Sequence, residues 1–213
     1  MPLSDNMQMK TSQLSLLFAR IQVMKITSAK FITGMVGDIE ILHNDIPQIA
    51  FIGRSNAGKS SLLNSLTNSK KLAITSKTPG RTQEINVFLI NESHYFMDLP
   101  GSGYAKANGA TLRKLNDLIS WYLFESGCNP RVVLLIDAIV GPTKDDLGML
   151  HALEDVGAEI VIVANKVDKI KKSHYLNHIK KLKEEFRGHV FVPYSSKTRA
   201  GIEELAEELL GSD

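Results

Sequence analysis

Short apolar runs alternate along this chain with longer segments whose leucines recur at helical spacing. Short runs of this kind predict buried strands, and the longer segments predict amphipathic helices. A further strand is predicted where apolar and polar residues alternate within 25–31. The other predicted strands are 49–52, 85–90, 94–98, 131–137, 159–164 and 189–193, and the predicted helices are 59–67, 108–125, 144–156, 172–187 and 200–210.

The order of these elements predicts an α/β fold. The strands at 85–90 and 94–98 are separated only by Asn91, Glu92 and Ser93, and so short a link joins antiparallel strands. Each later strand is separated from its predecessor by a helix, which is the connection that parallel strands require. We therefore expect a mixed, mostly parallel sheet in a three-layer arrangement, flanked by helices.

A glycine-rich segment lies between the strand at 49–52 and the helix at 59–67. Its backbone N–H groups can surround phosphate oxygens, its lysine can contact the β- and γ-phosphates, and its last hydroxyl can bind Mg²⁺. The following helix adds the positive end of its dipole. The segment fits the pattern G-x-x-x-x-G-K-[ST] and consists of Gly53, Arg54, Ser55, Asn56, Ala57, Gly58, Lys59 and Ser60, with Ser61 next. It predicts a phosphate-binding loop, with Lys59 as a catalytic cation and Ser60 as a metal ligand.

A second polar segment, formed by Asp98, Leu99, Pro100 and Gly101, begins at the end of the strand at 94–98. An aspartate at this place can hold Mg²⁺, and Gly101 lacks a side chain, so its N–H can approach a γ-phosphate. An ordinary Pro-Gly turn would look the same in isolation. Its position downstream of a phosphate loop favours the nucleotide site, with Asp98 as a metal ligand and Gly101 as a catalytic residue.

A third polar segment follows the apolar run at 159–164. It reads Asn165, Lys166, Val167 and Asp168. A carboxylate at Asp168 can accept hydrogen bonds from the ring N–H and the exocyclic amine of guanine, whereas adenine would leave it unpaired. Lys166 can lie along the base, and Asn165 can brace the surrounding loops. The segment therefore predicts selection of guanine.

A weaker signal follows the last predicted strand. Ser195, Ser196 and Lys197 offer backbone N–H groups that could meet the guanine carbonyl oxygen, although two serines after a strand are also common turn residues. Taken in this order, the four segments predict a guanine-nucleotide switch.

Residues 75–83 are polar and interrupted by a Pro-Gly pair, and they predict a loop that closes over the γ-phosphate and Mg²⁺. From the residues alone, Thr78 and Thr82 are equal candidates for the metal ligand. Ser102 stands where Ras-type GTPases carry the glutamine that orients the attacking water. We therefore expect slow hydrolysis unless another group, a cation or a partner positions that water.

Asn56 allows two interpretations. In several GTPase families an asparagine at this loop position coordinates a monovalent cation, such as K⁺, which supplies charge that an arginine finger supplies elsewhere. Asparagine also tolerates the left-handed backbone conformation of a turn. The sequence leaves both interpretations open.

Composition restricts the class of protein and the cellular compartment in which we expect it. The chain has 213 residues, 43% of them hydrophobic, which suffices for one core, and its single cysteine, Cys128, excludes a disulfide framework and a cysteine-based metal cluster. No apolar run reaches the length of a membrane span. The first residues lack the basic start and cleavage site of a signal peptide. We therefore expect a cytoplasmic protein without membrane contact.

Charge is unevenly distributed. The net charge is only +2, yet seven basic residues gather within 169–187, and Lys70, Lys71, Lys77 and Arg81 lie near the predicted switch loop. Either a solvated helix face or contact with RNA phosphates would explain the cluster at 169–187.

Three of these segments resemble the EngB (YihA or YsxC) family of bacterial GTPases, among the TrmE-Era-EngA-EngB-Septin-like P-loop GTPases. The matching residues are Gly-Arg-Ser-Asn-Ala-Gly-Lys-Ser-Ser at 53–61, Thr-Pro-Gly-Arg-Thr-Gln at 78–83 and Asp-Leu-Pro-Gly-Ser-Gly-Tyr-Ala-Lys at 98–106. The resemblance extends from about Met24 to the C-terminus, and the last two segments are its specific part. The chain departs from the family's usual Thr-Lys-Ala-Asp at 165–168, and its segment 137–143 lacks the family's Arg-His.

The resemblance implies several properties beyond those read from the residues. It makes Thr82 the metal-binding and catalytic threonine. It places Gly80, Arg81, Thr82, Gln83 and Glu84 on the γ-phosphate side and Tyr194, Ser195 and Ser196 on the base side. It also implies GTP and GDP as ligands, Mg²⁺ as cofactor, and a precursor of the large ribosomal subunit, with its rRNA and ribosomal proteins, as partner.

We therefore predict a slow, Mg²⁺-dependent GTPase that acts as a switch in assembly of the large ribosomal subunit and is needed for normal cell division and septation. The G domain is expected to span 24–213 as a monomer. Residues 1–23 are expected to be an extension, either disordered or upstream of a translation start at Met24. The alternative is a regulatory GTP-binding module that acts on cell-division proteins without ribosome contact.

Overall fold

The computed structural model describes residues 25–69, 72, 84–101 and 109–211. The predicted extension at 1–23 and the predicted switch loop at 75–83 lie outside the described residues. Within them, seven strands form one sheet in the order β1-β3-β4-β2-β5-β6-β7. The strands are β1 (Ala29–Met35), β2 (Gln48–Gly53), β3 (Ile85–Ile90), β4 (His94–Asp98), β5 (Arg131–Asp137), β6 (Ile160–Asn165) and β7 (Val190–Pro193).

The parallel part of the sheet runs from β4 through β2, β5 and β6 to β7. Every residue of β2 and of β6 is buried. Parallel strands read as continuous apolar runs because helices cover both of their faces. The mixed, mostly parallel sheet predicted from the sequence is confirmed.

The antiparallel edge consists of β1, β3 and β4. β3 and β4 form the predicted hairpin, and β1 pairs antiparallel with β3 from Ala29 opposite Ile90 to Met35 opposite Ile85. The strand predicted within 25–31 therefore starts later and ends later than expected. Its pairing begins at Ala29 because β3 ends at Ile90. The side chain of Asn91 then accepts hydrogen bonds from the backbone N–H groups of Thr27 and Ser28.

All five predicted helices are present, with ends shifted by a few residues. The longest predicted helix, 108–125, continues beyond its α-helical part as a π-helical turn at Trp121–Glu125. The helix predicted at 172–187 is α-helical only over its central part, after a 3₁₀ turn at Lys172–His174. The helices are α1 (Lys59–Leu66), α2 (Gly109–Ser120), α3 (Lys144–Asp155), α4 (Tyr175–Glu185) and α5 (Ile202–Leu210).

The helices form two layers, one on each face of the sheet. α1 and α5 contribute to one core cluster, and α2, α3 and α4 contribute to the cluster on the opposite face. The buried leucines that make these contacts include Leu62, Leu66, Leu205 and Leu209 on the first face and Leu118, Leu153 and Leu182 on the second. The three-layer fold predicted from the sequence is confirmed. Among the helices of the described residues, none has both the length and the apolar character needed to cross a bilayer.

Candidate functional site

Four neighbouring strands end at one edge of the sheet. β2 ends at Gly53, β4 at Asp98, β5 at Asp137 and β6 at Asn165, and these strands run parallel. Three of the four segments singled out in the sequence therefore meet where open α/β sheets bind their ligands. The fourth joins them, because β7 runs parallel to β6 and its Pro193 lies opposite Ala164.

Two glycines determine the path of the phosphate loop. A Cβ added to Gly53 would lie 2.6 Å from the carbonyl oxygen of Leu135 on the neighbouring strand. Gly58 has a φ of 99°, and a Cβ there would lie 2.5 Å from Nδ2 of Asn165. A side chain at Gly53 would force the backbone to move, and one at Gly58 would be strained by its positive φ and would displace the amide of Asn165. The loop leads directly into α1. The N–H groups in the first turn of this helix have no intrahelical partner and are available to an anion.

The residues between these glycines form a tight turn, closed by a 2.9 Å hydrogen bond from the N–H of Ala57 to the carbonyl of Arg54. Ala57 is buried, Arg54 is half-buried, and Ser55 and Asn56 are exposed. Among the described residues, the non-glycine positions with positive φ do not include Asn56. The left-handed conformation considered for Asn56 is therefore wrong, and coordination of a monovalent cation stays a prediction.

Lys59 and Asp98 form an ion pair beneath this loop. The Nζ of Lys59 donates to Oδ1 of Asp98, and their side chains are only 10% and 7% exposed. A cation and a carboxylate that are both this poorly solvated depend on each other, since either alone would carry an uncompensated charge. The pair links the phosphate loop to the Asp98 segment.

The donors at this place fit a magnesium ion. Mg²⁺ prefers oxygen ligands and is usually held by one or two carboxylates together with phosphate oxygens of a substrate. Asp98 offers a carboxylate at the end of β4, and Ser60 offers a half-buried hydroxyl in the first turn of α1. When bound, the ion would supply positive charge to the phosphates. Thr82, the third predicted ligand, lies outside the described residues.

Asn165 joins three loops through one buried side chain, which is 2% exposed. Its Nδ2 donates to the carbonyl of Ala57 in the phosphate loop at 2.9 Å. Its Oδ1 accepts from the N–H of Lys166 at 2.8 Å, and from the N–H and the hydroxyl of Ser196 at 3.2 and 3.1 Å. The predicted phosphate and base segments are thus connected by a single amide.

Asp168 is exposed, with its carboxylate oriented by a buried hydroxyl. The Oγ of Ser195 donates to Oδ1 of Asp168 at 2.7 Å and accepts from the N–H of Thr198 at 3.1 Å. Ser195 is completely buried. A carboxylate held in this way keeps lone pairs free for a second donor, which is what recognition of guanine requires.

Lys166 lies between the phosphate loop and β5. Its Nζ donates to Oδ2 of Asp137 at 2.7 Å and to the carbonyl of Asn56 at 2.5 Å. Burial alone would raise the pKa of Asp137. Hydrogen bonds from Lys166 and from the N–H groups of Ile139 and Val140, together with the charge of Lys166, outweigh burial and hold that pKa below its usual value. The backbone of Lys166 has a left-handed conformation, with φ of 70°.

Several predicted site residues contribute backbone or packing rather than an exposed side chain. Leu99, Pro100 and Val167 are buried, and Gly101 packs so closely that an added Cβ would lie 3.2 Å from Cα of Ser55. Tyr194 is also completely buried.

The side chain of Tyr194 points under α1, where its hydroxyl lies 2.7 Å from Oγ of Ser65. Only its backbone borders the base segment, since its carbonyl accepts from the N–H of Val167 at 3.1 Å. Ser61 and Glu84 are exposed, and Glu84 lies beside Gly34 of β1. Gly80, Arg81, Gln83 and Ser102 lie outside the described residues.

Sequence reasoning missed two of these partners. Asp137 was not assigned to the site, although it ends β5 directly opposite Asn165 of β6. A polar residue at the carboxyl end of a central strand was the signal that could have found it. The hydroxyl of Ser195 was also missed, because only a backbone role was considered at 195–197.

Comparison with known proteins agrees with this geometry. Residues 48–166 match the family described as 50S ribosome-binding GTPase. The EngB GTP-binding protein of Acholeplasma laidlawii is 40% identical over 186 residues, which is 87% of this chain and 97% of that protein. The EngB protein of Desulforamulus reducens is 42% identical over 190 residues, covering 87% and 93% of the two chains.

Solved structures show the same similarity. A crystal structure of an EngB GTP-binding protein superposes with a TM-score of 0.59 and 28% identity, covering 74% of this chain and 94% of that one. A structure of Era in complex with MgGDPNP and nucleotides of 16S ribosomal RNA gives a TM-score of 0.64 and 26% identity, covering 79% of this chain and 57% of that one.

The fold and the converging loops define a P-loop GTPase, a protein that binds guanine nucleotide and hydrolyses GTP. Within that class, the chain belongs to the EngB family of GTP-binding proteins. The resemblance stated from three sequence segments is thereby confirmed.

Proposed function

We propose that this GTPase is a slow, Mg²⁺-dependent switch in assembly of the large ribosomal subunit, and that normal cell division and septation depend on it. The observation that carries the proposal is membership of a family described as 50S ribosome-binding GTPase. The protein would act in the cytoplasm as a monomer, and its partner would be a precursor of the large subunit, with its rRNA and ribosomal proteins.

The site suggests how nucleotide binding would change the structure of the neighbouring residues. In the structure, Lys59 is paired with Asp98. A bound γ-phosphate would attract Lys59, while Mg²⁺ would engage Asp98, so both members of the pair would gain new partners. Gly101 lies three residues after Asp98 and packs against Ser55. A change of partner at Asp98 would therefore also shift Gly101 and the residues after it.

The base would be held on the other side of the loop. Asp168 would accept the two donors of guanine, and Lys166, already fixed by Asp137, would lie along the ring. Ser195 would keep the Asp168 carboxylate in position. Thr82 would complete the metal site, and residues 80–84 would line the γ-phosphate.

Co-sedimentation with ribosomal subunits tests this function. The protein would be loaded with GDP or with a non-hydrolysable GTP analogue and centrifuged through a gradient with separated large and small subunits. We expect migration with the large subunit in the analogue-bound form and release in the GDP form.

A variant that cannot hold the phosphates, Lys59→Ala, is the matched control and should not migrate with the subunit. Absence of migration by the wild-type protein in both nucleotide states would refute the ribosomal role. It would favour instead the alternative, a regulatory GTP-binding module acting on cell-division proteins.

A further inference from the structure

A strongly basic surface lies on α4 and the turns at its two ends. The segment 169–187 carries seven basic residues against two glutamates, a local net charge of +5 in a chain whose net charge is +2. We name the following exposed residues the α4 basic face: Lys172, Leu176, Lys180, Lys183 and Arg187.

The face is one side of a helix whose other side is committed to the core. Leu176, Lys180 and Lys183 follow each other at intervals of four and three residues, which places them on one side of α4. Lys172 and Arg187 lie in the turns at the two ends of the helix. Leu182, on the core-facing side of α4, and Phe186, which ends the helix, are 4% and 1% exposed and pack in the core.

The cations of this face have no anionic partners among the residues that the structure describes. Within the described residues, none of Lys172, Lys180, Lys183 and Arg187 forms an ion pair. This includes Lys180 and Glu184, which are four residues apart. Water and mobile ions alone therefore solvate these four positive side chains. Binding of a polyanion would release the mobile ions, and this release favours binding.

The composition of the face favours a nucleic-acid backbone as partner over a protein interface or a membrane surface. Lysine is depleted from the cores of protein–protein interfaces, where aromatic residues and arginine are enriched. An amphipathic helix that binds a membrane surface needs a broad apolar side. Here Leu176, 80% exposed, is the one large apolar side chain of the face. Lysines at helical intervals suit phosphates, which need point charges rather than shaped pockets.

The face is also rigidly connected to the base-binding segment. α4 follows Asp168 after a few residues, and the ring of His178 lies within hydrogen-bond distance, at 2.5 Å, of the carbonyl of Ala138, next to Asp137. Asp137 in turn binds Lys166 of the base segment. A polyanion on α4 would therefore lie at a fixed distance from the nucleotide.

We propose that the α4 basic face is an RNA-binding surface that contacts the phosphate backbone of structured RNA without reading its sequence. The inference rests on the proposed ribosomal function and identifies the surface through which rRNA is held. Leu176 would contact sugar or base surface between the phosphates.

The test measures binding of a fluorescent 20-base-pair RNA duplex by anisotropy, at a series of KCl concentrations. The variant Lys172→Gln/Lys180→Gln/Lys183→Gln removes three charges from the face. The control Lys30→Gln/Lys114→Gln/Lys144→Gln removes three charges from exposed lysines outside α4. Both variants have the same net charge, and neither alters a residue assigned to the nucleotide site, so both should bind GDP like the wild type.

We expect the face variant to bind the duplex at least tenfold more weakly at moderate salt. The slope of log K against log[KCl] should become less negative by about 2.7, roughly 0.9 for each lost phosphate contact. The control should stay within about twofold of the wild type. Equal loss in both variants would show that only net charge matters and would overturn the proposal.

Two further outcomes separate this inference from the function on which it rests. If the face variant lost no affinity for RNA while the wild type migrated with the large subunit, the surface assignment would be wrong and the ribosomal role would stand. If the wild type bound phosphatidylserine vesicles through this face but not the RNA duplex, the partner would be a membrane surface and the proposal would be overturned.

Discussion

Replacing Asn165 by alanine tests whether one amide holds the three site loops together. The substitution removes the 2.9 Å bond to the Ala57 carbonyl and the three bonds that Oδ1 accepts from Lys166 and Ser196. A buried group left without a partner costs about 1–3 kcal/mol. Lys166 and Ser196 are half-buried and can regain water, whereas Ala57 is 3% exposed, so its carbonyl alone is left unpaired. We therefore expect a loss of about 1–3 kcal/mol in the free energy of unfolding.

The assay is urea unfolding of the nucleotide-free protein, followed by binding of a fluorescent GDP analogue. The exposed Asn177→Ala on α4 is the control and should change stability by no more than about 0.5 kcal/mol. Because Asn165 positions both the phosphate loop and the base segment, its loss should also weaken GDP binding at least tenfold. An Asn165→Ala protein as stable as the control, with unchanged GDP affinity, would refute the role assigned to this amide.

The remaining predictions concern four other positions. Lys59→Ala should abolish nucleotide binding, because it removes the cation of the phosphate loop, and unchanged affinity for a fluorescent GTP analogue would contradict the assignment. Asp168→Asn should shift preference from guanine towards xanthine nucleotides, whose additional carbonyl suits an amide donor, as measured by competition between GTP and XTP. Since the folded-state pKa of Asp137 is lowered, its charge stabilises the fold above the unfolded value near 3.8, and this contribution is lost as the pH falls through the lower folded value. Urea midpoints of the wild type and Asp137→Asn should therefore differ at pH 7 and converge below about pH 4, and a constant difference would contradict the pairing with Lys166. Gly148→Ala should raise stability by about 0.5–1 kcal/mol in thermal or urea unfolding, because Gly148 lies inside α3 with open space around its Cα, and a loss of stability would show that the helix is packed differently.

Local pattern predicted most of the fold, and each of its errors has a physical cause. Each helix and each parallel strand was identified because apolar spacing reports which faces are covered. β1 was placed too early, since its start depends on where β3 ends, a fact about a partner strand some sixty residues away in the chain. The π-helical turn at 121–125 was missed because its residues keep the same apolar spacing as the α-helix before it.

The sequence alone determined the chemistry of this protein. The phosphate loop, Asp98 and the segment 165–168 were readable because each follows a strand within a few residues, so spacing along the chain is enough to recognise them. Only the tertiary structure decided how these parts cooperate. Asn165 reaches Ala57 across 108 residues, Lys166 reaches Asp137 across 29, and Ser195 reaches Asp168 across 27. The first two of these pairs exist because β2, β5 and β6 lie side by side in the sheet, and strand order is set by the packing of the whole core rather than by any local sequence.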